Sequence, residues 1–416
     1  MKRKFNNSVS LKILFISISL VLLNSCTNDV TPTLYPGDGD KGTPAEITKV
    51  TPAEGYAGVT SIIIDGSNFS ENADDNFVFF GAARATVLNA SATQLNVLAP
   101  VIYGDSLRLK VDNGSDLYSN TILYKLGYAV NEYYPFLANQ EPYAATVDKD
   151  GNLYFSYIEA AKGLGVWRIT AAGVLSEYAP KGGETTFNDL KYNSGGYLIG
   201  IYGNRAIFKI EEGIKPAVFV NTGDNSVKLL AFDFDKDTTI WAGGKGGKIV
   251  GVKPDKSFKF FEYEYDISGL RVYNDYLYAI SGDENSQNVV RFPIVSPDSL
   301  GAVEPYFAFS SNVEFGVLAN SLTFSADGQM YIATSPLSDN SDPVDPIMFV
   351  NSDGSFGTWY AGLAESSVSS FTWGIGTNMY IIRDRFPVDR AVDAVFTQSI
   401  LKVDMERLGA PEFGRD

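Results

Sequence analysis

Asp148-Lys149-Asp150-Gly151-Asn152-Leu153-Tyr154-Phe155-Ser156 is an acidic tight turn that runs straight into an apolar, aromatic strand. The phrase returns as Ser325-Ala326-Asp327-Gly328-Gln329-Met330-Tyr331-Ile332-Ala333. Looser copies stand at 193–198, 235–241, 273–278 and 376–380. Their aligned residues, Tyr154, Leu198, Trp241, Tyr278, Tyr331 and Tyr380, lie 37 to 53 residues apart. A strand-rich unit recurring every ~40–50 residues marks a propeller blade, because one small sheet cannot bury both its faces alone and must stack on its neighbours. Six copies imply six blades across residues 127–416.

The first two blades read strand by strand. Tyr143–Val147, Asn152–Ile158, Gly165–Thr170 and Val174–Tyr178 form the first, inner to outer. Asn188–Tyr192, Tyr197–Tyr202, Ala206–Ile210 and Ala217–Val220 form the second. Later third strands are Lys248–Val252, Val289–Phe292, Ile347–Val350 and Ser399–Val403. These runs are almost continuously apolar, as expected for strands covered on both faces. Trp167, Trp241, Trp359 and Trp373 lie in or near strands and read as packing between blades. Two segments could complete the ring: Tyr128-Ala129-Val130, or Ala410-Pro411-Glu412-Phe413 as the sixth outer strand.

Upstream, residues 45–126 carry short alternating strands at sandwich-like spacing: 47–52, 61–69, 77–81, 85–88, 94–100, 106–111 and 121–124. Gly55 and Gly58 supply a turn after the first. The fold class is therefore all-β, a sandwich followed by a propeller.

Composition narrows the chemistry. The net charge is −16, with 49 acids against 33 bases, which repels phosphate backbones and disfavours nucleic-acid binding. There is no histidine, so Ser-His-Asp and Cys-His catalysis and His-ligated zinc are excluded. Asp233-Phe234-Asp235-Lys236-Asp237 alternates acids like the opening of a calcium loop, but lacks the glycine at position six and the closing glutamate. It reads as a solvated blade turn. No metal, cofactor or catalytic set is assigned.

The N-terminus reads as an address. Residues 1–25 begin with Lys2, Arg3 and Lys4 and continue with an apolar run from Ile13 to Leu23, too short to span a bilayer comfortably. The run ends Leu22-Leu23-Asn24-Ser25-Cys26, which resembles a bacterial lipobox. That resemblance implies cleavage before Cys26, the only cysteine of the chain, and lipidation of its thiol. Thr27 follows, where inner-membrane retention would place an aspartate, so an outer-membrane, surface-exposed location is expected. Residues 26–44, rich in Pro and Gly, read as a flexible tether.

Two family resemblances follow. Residues 45–126 resemble the IPT/TIG family of immunoglobulin-like domains: Val50 with Pro52, Gly55, Gly58, the Asp65-Gly66-Ser67-Asn68-Phe69 corner, Phe80-Gly81, Pro100, and Val111 with Gly114. The resemblance implies a spacer or contact module. Residues 127–416 are similar to NHL-type six-bladed propellers, most clearly at 142–155 and 322–333. Anchor, tether, sandwich and propeller together resemble Bacteroidetes surface lipoproteins that accompany outer-membrane glycan importers. This implies a non-catalytic protein that holds polysaccharide beside a TonB-dependent importer. The alternatives are a protein-interaction scaffold and a propeller lyase or lactonase.

Loops between second and third blade strands leave one end of the ring and are where a ligand is expected. They are short in blade two (203–205) and lengthen in blades four (282–288), five (335–346) and six (383–398). Aromatic faces stack on sugar rings, while amides and charges bond the hydroxyls. The candidates are Tyr157, Tyr202 and Phe386 for stacking, and Asn204, Arg205, Asp283, Asn285, Asn288, Arg383, Asp384 and Arg385 for polar contacts.

Overall fold

The structure, a computed structural model, describes residues 42–115, 117–338, 344–364, 367–387 and 396–416. The lipobox with Cys26 and most of the tether lie outside the described residues. The chain divides into two compact units. One holds Ile62–Val97 and Arg108–Leu123 with the stretch up to Pro52; the other holds Ala53–Ser61, Leu98–Leu107 and Tyr124–Asp416.

The sandwich is built from β1 (Glu46–Thr51), β2 (Glu54–Tyr56), β3 (Ser61–Ser67), β4 (Phe77–Phe80), β5 (Ala83–Arg84), β6 (Thr86–Ser91), β7 (Gln94–Leu98), β8 (Gly104–Asp112) and β9 (Ile122–Gly127). They form two sheets, β1-β3-β7-β6 and β2-β9-β8-β4-β5. Alternate residues Ile62, Ile64, Val78, Phe80, Leu95, Val97, Leu109 and Val111 are fully buried, so each strand sends one face inward. The 65–69 corner depends on Gly66: a Cβ there would stand 2.0 Å from the Glu46 carbonyl and 2.6 Å from the Phe69 ring. The expected turn at Gly55 is instead the short strand β2, which pairs in parallel with β9.

Six four-stranded sheets follow as blades, the fourth carrying an extra hairpin. The inner strands are Gln140–Val147, Asp189–Asn193, Lys228–Phe234, Ile267–Tyr273, Val317–Phe324 and Val368–Trp373. Val130–Glu132, from the start of this region, is the outermost strand of the last blade, paired with Ser399–Asp404. Of the two closure schemes, the ring uses the N-terminal one.

The repeated acidic phrase proves to be a cap. Asp148 accepts the N–H groups of Asp150 and Asn152 (both 2.9 Å) and the Tyr154 hydroxyl (2.9 Å). Asp235 repeats this with Asp237 N, Thr239 N and the Trp241 indole N–H, all at 2.9 Å. In blade five Ser325 stands in, accepting Gln329 N at 3.1 Å, while the Tyr331 hydroxyl donates to the Gln329 side chain at 2.6 Å. In blades one and three the motif thus ties the turn to the aromatic six residues on, Tyr154 or Trp241, which packs between blades. This is why acid and aromatic recur together. Asp233 and Asp235 are buried while Lys236, Asp237 and Thr238 at the tip are exposed, so the calcium-like stretch is a blade turn with a solvated tip, anchored from inside by its acids.

Residues 408–416 cross the ends of the inner strands. Ala410 N bonds the Phe324 carbonyl (2.9 Å), and Arg415 donates to the Trp373 carbonyl (2.6 Å). A Cβ on Gly414 would come within 2.4 Å of the Tyr192 carbonyl. Arg271, 1% exposed, pairs with Asp233 (2.7 Å) and Glu412 (3.4 Å) and donates to the Pro411 carbonyl (2.8 Å). The space left among Thr146, Lys191, Asp233, Thr372 and this tail is about 10 Å³, barely room for one water. The expected outer strand at 410–413 is therefore a plug over one end of the channel.

Candidate functional site

The tail's bonds to Phe324, Trp373 and Arg271 all lie at the turn end; the opposite end carries loops instead. There the loops between second and third strands emerge, together with the connections from each outer strand to the next inner strand. Each chain reversal alternates ends, so these two loop classes must share one.

A cavity with well-formed walls lies at this end, between blades three and four. It is an open groove of about 780 Å³ lined by Gly246, Gly247, Glu262, Tyr263, Glu264, Tyr265, Val290, Val303 and Pro305. Its walls come from the blade-three turn at Gly246-Gly247 and the connection leaving Phe258–Glu262. The turn needs glycine: Gly246 sits at φ +107, where a Cβ would meet the Ser226 carbonyl at 2.3 Å. Tyr263 N donates to the Gly247 carbonyl (2.9 Å), fixing the two walls to each other. The Tyr263 and Tyr265 rings stand 5.7 Å apart at 62°. Tyr263 leans on Phe292 and bonds Ser281, whereas Tyr265 is 52% exposed. Burial raises the Tyr263 phenol above its usual range; the Glu264 carboxylate does so for Tyr265. Both phenols therefore stay protonated and can donate. Glu262 and Glu264 are exposed acceptors, and Val290, Val303 and Pro305 give an apolar wall. Further along this end, Phe315 on the connection into blade five is 83% exposed.

The sequence-derived candidates divide. Tyr157 is 1% exposed and packs on Phe155 (5.7 Å) and Trp167 (5.2 Å), so it has no free face for stacking. Phe386 is 5% exposed and held in a bridge to Phe396. Tyr202 tilts against Phe208 at 4.8 Å, partly buried. Asn204 and Arg205 form the blade-two loop; Asn204 accepts Ala206 N (2.8 Å), and Arg205 bonds Asn221 (3.2 Å) and Asn225.

The expected long loop of blade four is instead a tight hairpin. Strands Tyr276–Asp283 and Ser286–Ser296 pair up to Asp283 opposite Ser286, leaving only Glu284 and Asn285 in the turn. Asp283 caps it, accepting Asn285 N at 2.9 Å, and Asn288 lies in the ladder opposite Ser281. Polar residues at alternate positions extend the strands where their number suggested a loop.

In blade six, Arg383 pairs with Glu132 (2.8 Å) and stands 5.4 Å over the Phe396 ring; Arg385 follows two residues on, partly buried. Asp384 bonds Ser369 on the inner strand, and burial pushes its carboxyl up to about 7. The blade-five and blade-six loops lie partly outside the described residues. Among the described residues, no three His, Cys, Asp or Glu side chains come together in a metal-holding group.

The groove tyrosines lie on an outer-to-inner connection, outside the second-to-third-strand loops where the sequence leads one to expect a ligand. The signal was present in Phe260-Phe261-Glu262-Tyr263-Glu264-Tyr265, whose aromatic and acidic residues continue past the strand end.

Residues 45–126 match the family model for the IPT/TIG domain. No curated protein matches the chain. Among solved structures, a protein of unknown function from Bacteroides thetaiotaomicron is 14% identical, with 88% of this chain and 99% of that chain covered and a TM-score of 0.50. A luciferin-regenerating enzyme is 14% identical over 66% of this chain and 94% of its own, TM-score 0.51. An auxiliary nutrient-binding protein from Bacteroides thetaiotaomicron is 12% identical over 88% and 99%, TM-score 0.48. At such identities the likeness is one of fold alone: an IPT/TIG immunoglobulin-like domain followed by a six-bladed propeller.

Proposed function

We propose that this protein is a non-catalytic, surface-displayed polysaccharide-binding protein, held at the outer membrane by a lipid on Cys26 and working beside a TonB-dependent importer. The groove beside blade four is the observation that carries the reading. An exposed tyrosine face, a second ring at an angle to it, two acceptor carboxylates and an apolar wall suit a sugar chain. One ring face meets the aromatic, and the hydroxyls find donors and acceptors. Its openness suits a polymer passing through better than a small metabolite enclosed.

Isothermal titration of the purified protein against a panel of polysaccharides tests the proposal. Heat from at least one glycan, lost in Tyr265→Ala, is expected. Flat traces from well-folded protein across the panel would sink it, and turnover of any glycan or lactone would remove its non-catalytic half. Labelling with radioactive palmitate, abolished by Cys26→Ser, tests the anchor.

A protein-interaction scaffold is the second reading, favoured by Phe315. A phenylalanine so exposed on a loop end fits a protein contact better than a sugar. Under that reading Phe315→Ser, and not Tyr265→Ala, disrupts recovery of the protein with the importer from outer membranes.

A further inference from the structure

Residues 45–126 contain nine acids and only five bases, and four of the five bases lie on one sheet. Lys125 on β9 is taken by Glu54 at 3.0 Å. The other three, Arg84 on β5 and Arg108 and Lys110 on β8, have no carboxylate within ion-pair distance among the described residues. They share their face with rings. Val78 and Phe80 are fully buried, so the alternating Phe77 and Phe79 of β4 turn outward, and Leu109 and Val111 do the same for Arg108 and Lys110.

Register fixes the order across the sheet: Phe79 lies between Arg84 on one side and Lys110 on the other. The backbone positions of Arg84 and Lys110 are thus about 10 Å apart across two strand spacings, and those of Arg108 and Lys110 about 7 Å apart along β8. The Arg84 guanidinium stands 4.3 Å over the Phe77 ring, and the Lys110 ammonium 5.1 Å over Tyr118, which is 57% exposed. Phe79 and Tyr118 meet edge to face at 6.1 Å. The one acid on this row, Asp112, is turned into its own loop, accepting Gly114 N at 2.9 Å.

We infer that this sheet face is a second contact surface, for an anionic polysaccharide bearing carboxylate or sulfate groups. A flat row of rings interleaved with unpaired cations matches a polymer that alternates apolar ring faces with anions. The hollow of about 240 Å³ beside Arg84 lies at the edge of this row, against Asp74 and Asn76, and not among the rings. Charge sharpens the match: the chain as a whole, at −16, repels polyanions, so one would be held only where cations are gathered and unpaired. The surface is independent of the propeller groove.

Titration with polygalacturonate and with dextran sulfate at low salt, neutral dextran as control, tests it. Binding to at least one of the two polyanions is expected. It should weaken at least about tenfold in Arg84→Ala/Arg108→Ala/Lys110→Ala and on raising salt to about 0.5 M. Phe79→Leu should also weaken it. Lys49→Ala, which removes the one base outside this sheet, should not, and neither should Tyr265→Ala. A near-wild-type melting temperature of the charge variant keeps the test clean. Absence of polyanion binding, or full binding by the charge variant, overturns the inference. So does polyglutamate binding as tightly as polygalacturonate with Phe79→Leu unaffected, since the rings would then contribute nothing.

Discussion

At the turn end of the propeller Arg271 is 1% exposed and held by two carboxylates and the Pro411 carbonyl; at the loop end Phe315 is 83% exposed and Tyr265 52%. The two ends are made from the same repeat, yet their side chains obey different rules. At the sealed end every buried charge has a partner, because an unpaired one would cost several kcal/mol. At the open end large apolar rings are left in water, which folding alone does not reward. The sealed end specifies the ring, and the open end is free to present a ligand surface. Substitutions should therefore split into those that move stability and those that move binding.

The strongest break should come at Arg271. Removing it leaves Asp233 and Glu412 buried beside the tail without their ion-pair partner, with the Lys191 ammonium, which forms no ion pair with either, as a nearby positive charge. Arg271→Ala should lower unfolding stability by about 3–5 kcal/mol, and deleting residues 408–416 should have a comparable effect. Chemical denaturation reads both. If either variant melts like the wild type, the tail is a passive end and the contrast between the two faces loses its basis.

Next come the capping acids. Asp235→Ala would strand the Thr239 N–H and the Trp241 indole, both buried, and the partly exposed Asp237 N–H, all bonded at 2.9 Å. About 2–3 kcal/mol of stability should be lost, and Asp148→Ala should behave alike in blade one. The same substitution at Asp283, an exposed hairpin cap at the open end, should cost well under half of that.

These caps also show how far the sequence could be read. In blades one and three the phrase was visible because the acid and the aromatic six residues on are bonded partners; neither can drift without stranding the other. The third strands of blades two, three, five and six were legible to within a residue because their apolar runs are covered on both faces, whereas that of blade four runs on from 286 to 296 through polar residues. The plug was not, since residues 408–416 carry no periodic pattern and bond mostly through backbone carbonyls and two arginines. The site was hardest. Tyr157 and Phe386 look, as residue types, just like Tyr265. Only the register that buries Tyr157 against Trp167, and leaves Tyr265 past the end of its strand, separates them.

Asp384, at the open end, is desolvated like the charges of the sealed end and bonded to the inner-strand Ser369. Its carboxyl is pushed up to about 7 by burial, against 3.8 ordinarily. Below about pH 4 the acid is protonated folded or unfolded, and it carries no penalty. As pH rises the unfolded chain ionises first, so folding takes up a proton and stability falls until about pH 7, then levels. Asp384→Asn should remove that slope: matched to wild type at pH 4, more stable by about 1–2 kcal/mol at pH 8. Equal pH profiles would mean that water reaches this carboxyl freely.

The smallest effect on the fold should accompany the clearest effect on function. Tyr265 is half exposed and past the end of its strand, and Tyr263 rather than Tyr265 carries the contacts to Phe292 and Ser281. Tyr265→Ala should shift the melting temperature by no more than about 2 °C. It should nonetheless weaken any glycan bound in the groove about tenfold, the worth of one ring face stacked on a sugar. Tyr265→Phe separates stacking from hydrogen bonding, because it keeps the face and removes the donor. Affinity retained in Phe and lost in Ala assigns the ring; affinity lost in both assigns the hydroxyl. Affinity unchanged in both, with folding intact, would place the ligand elsewhere on the open end.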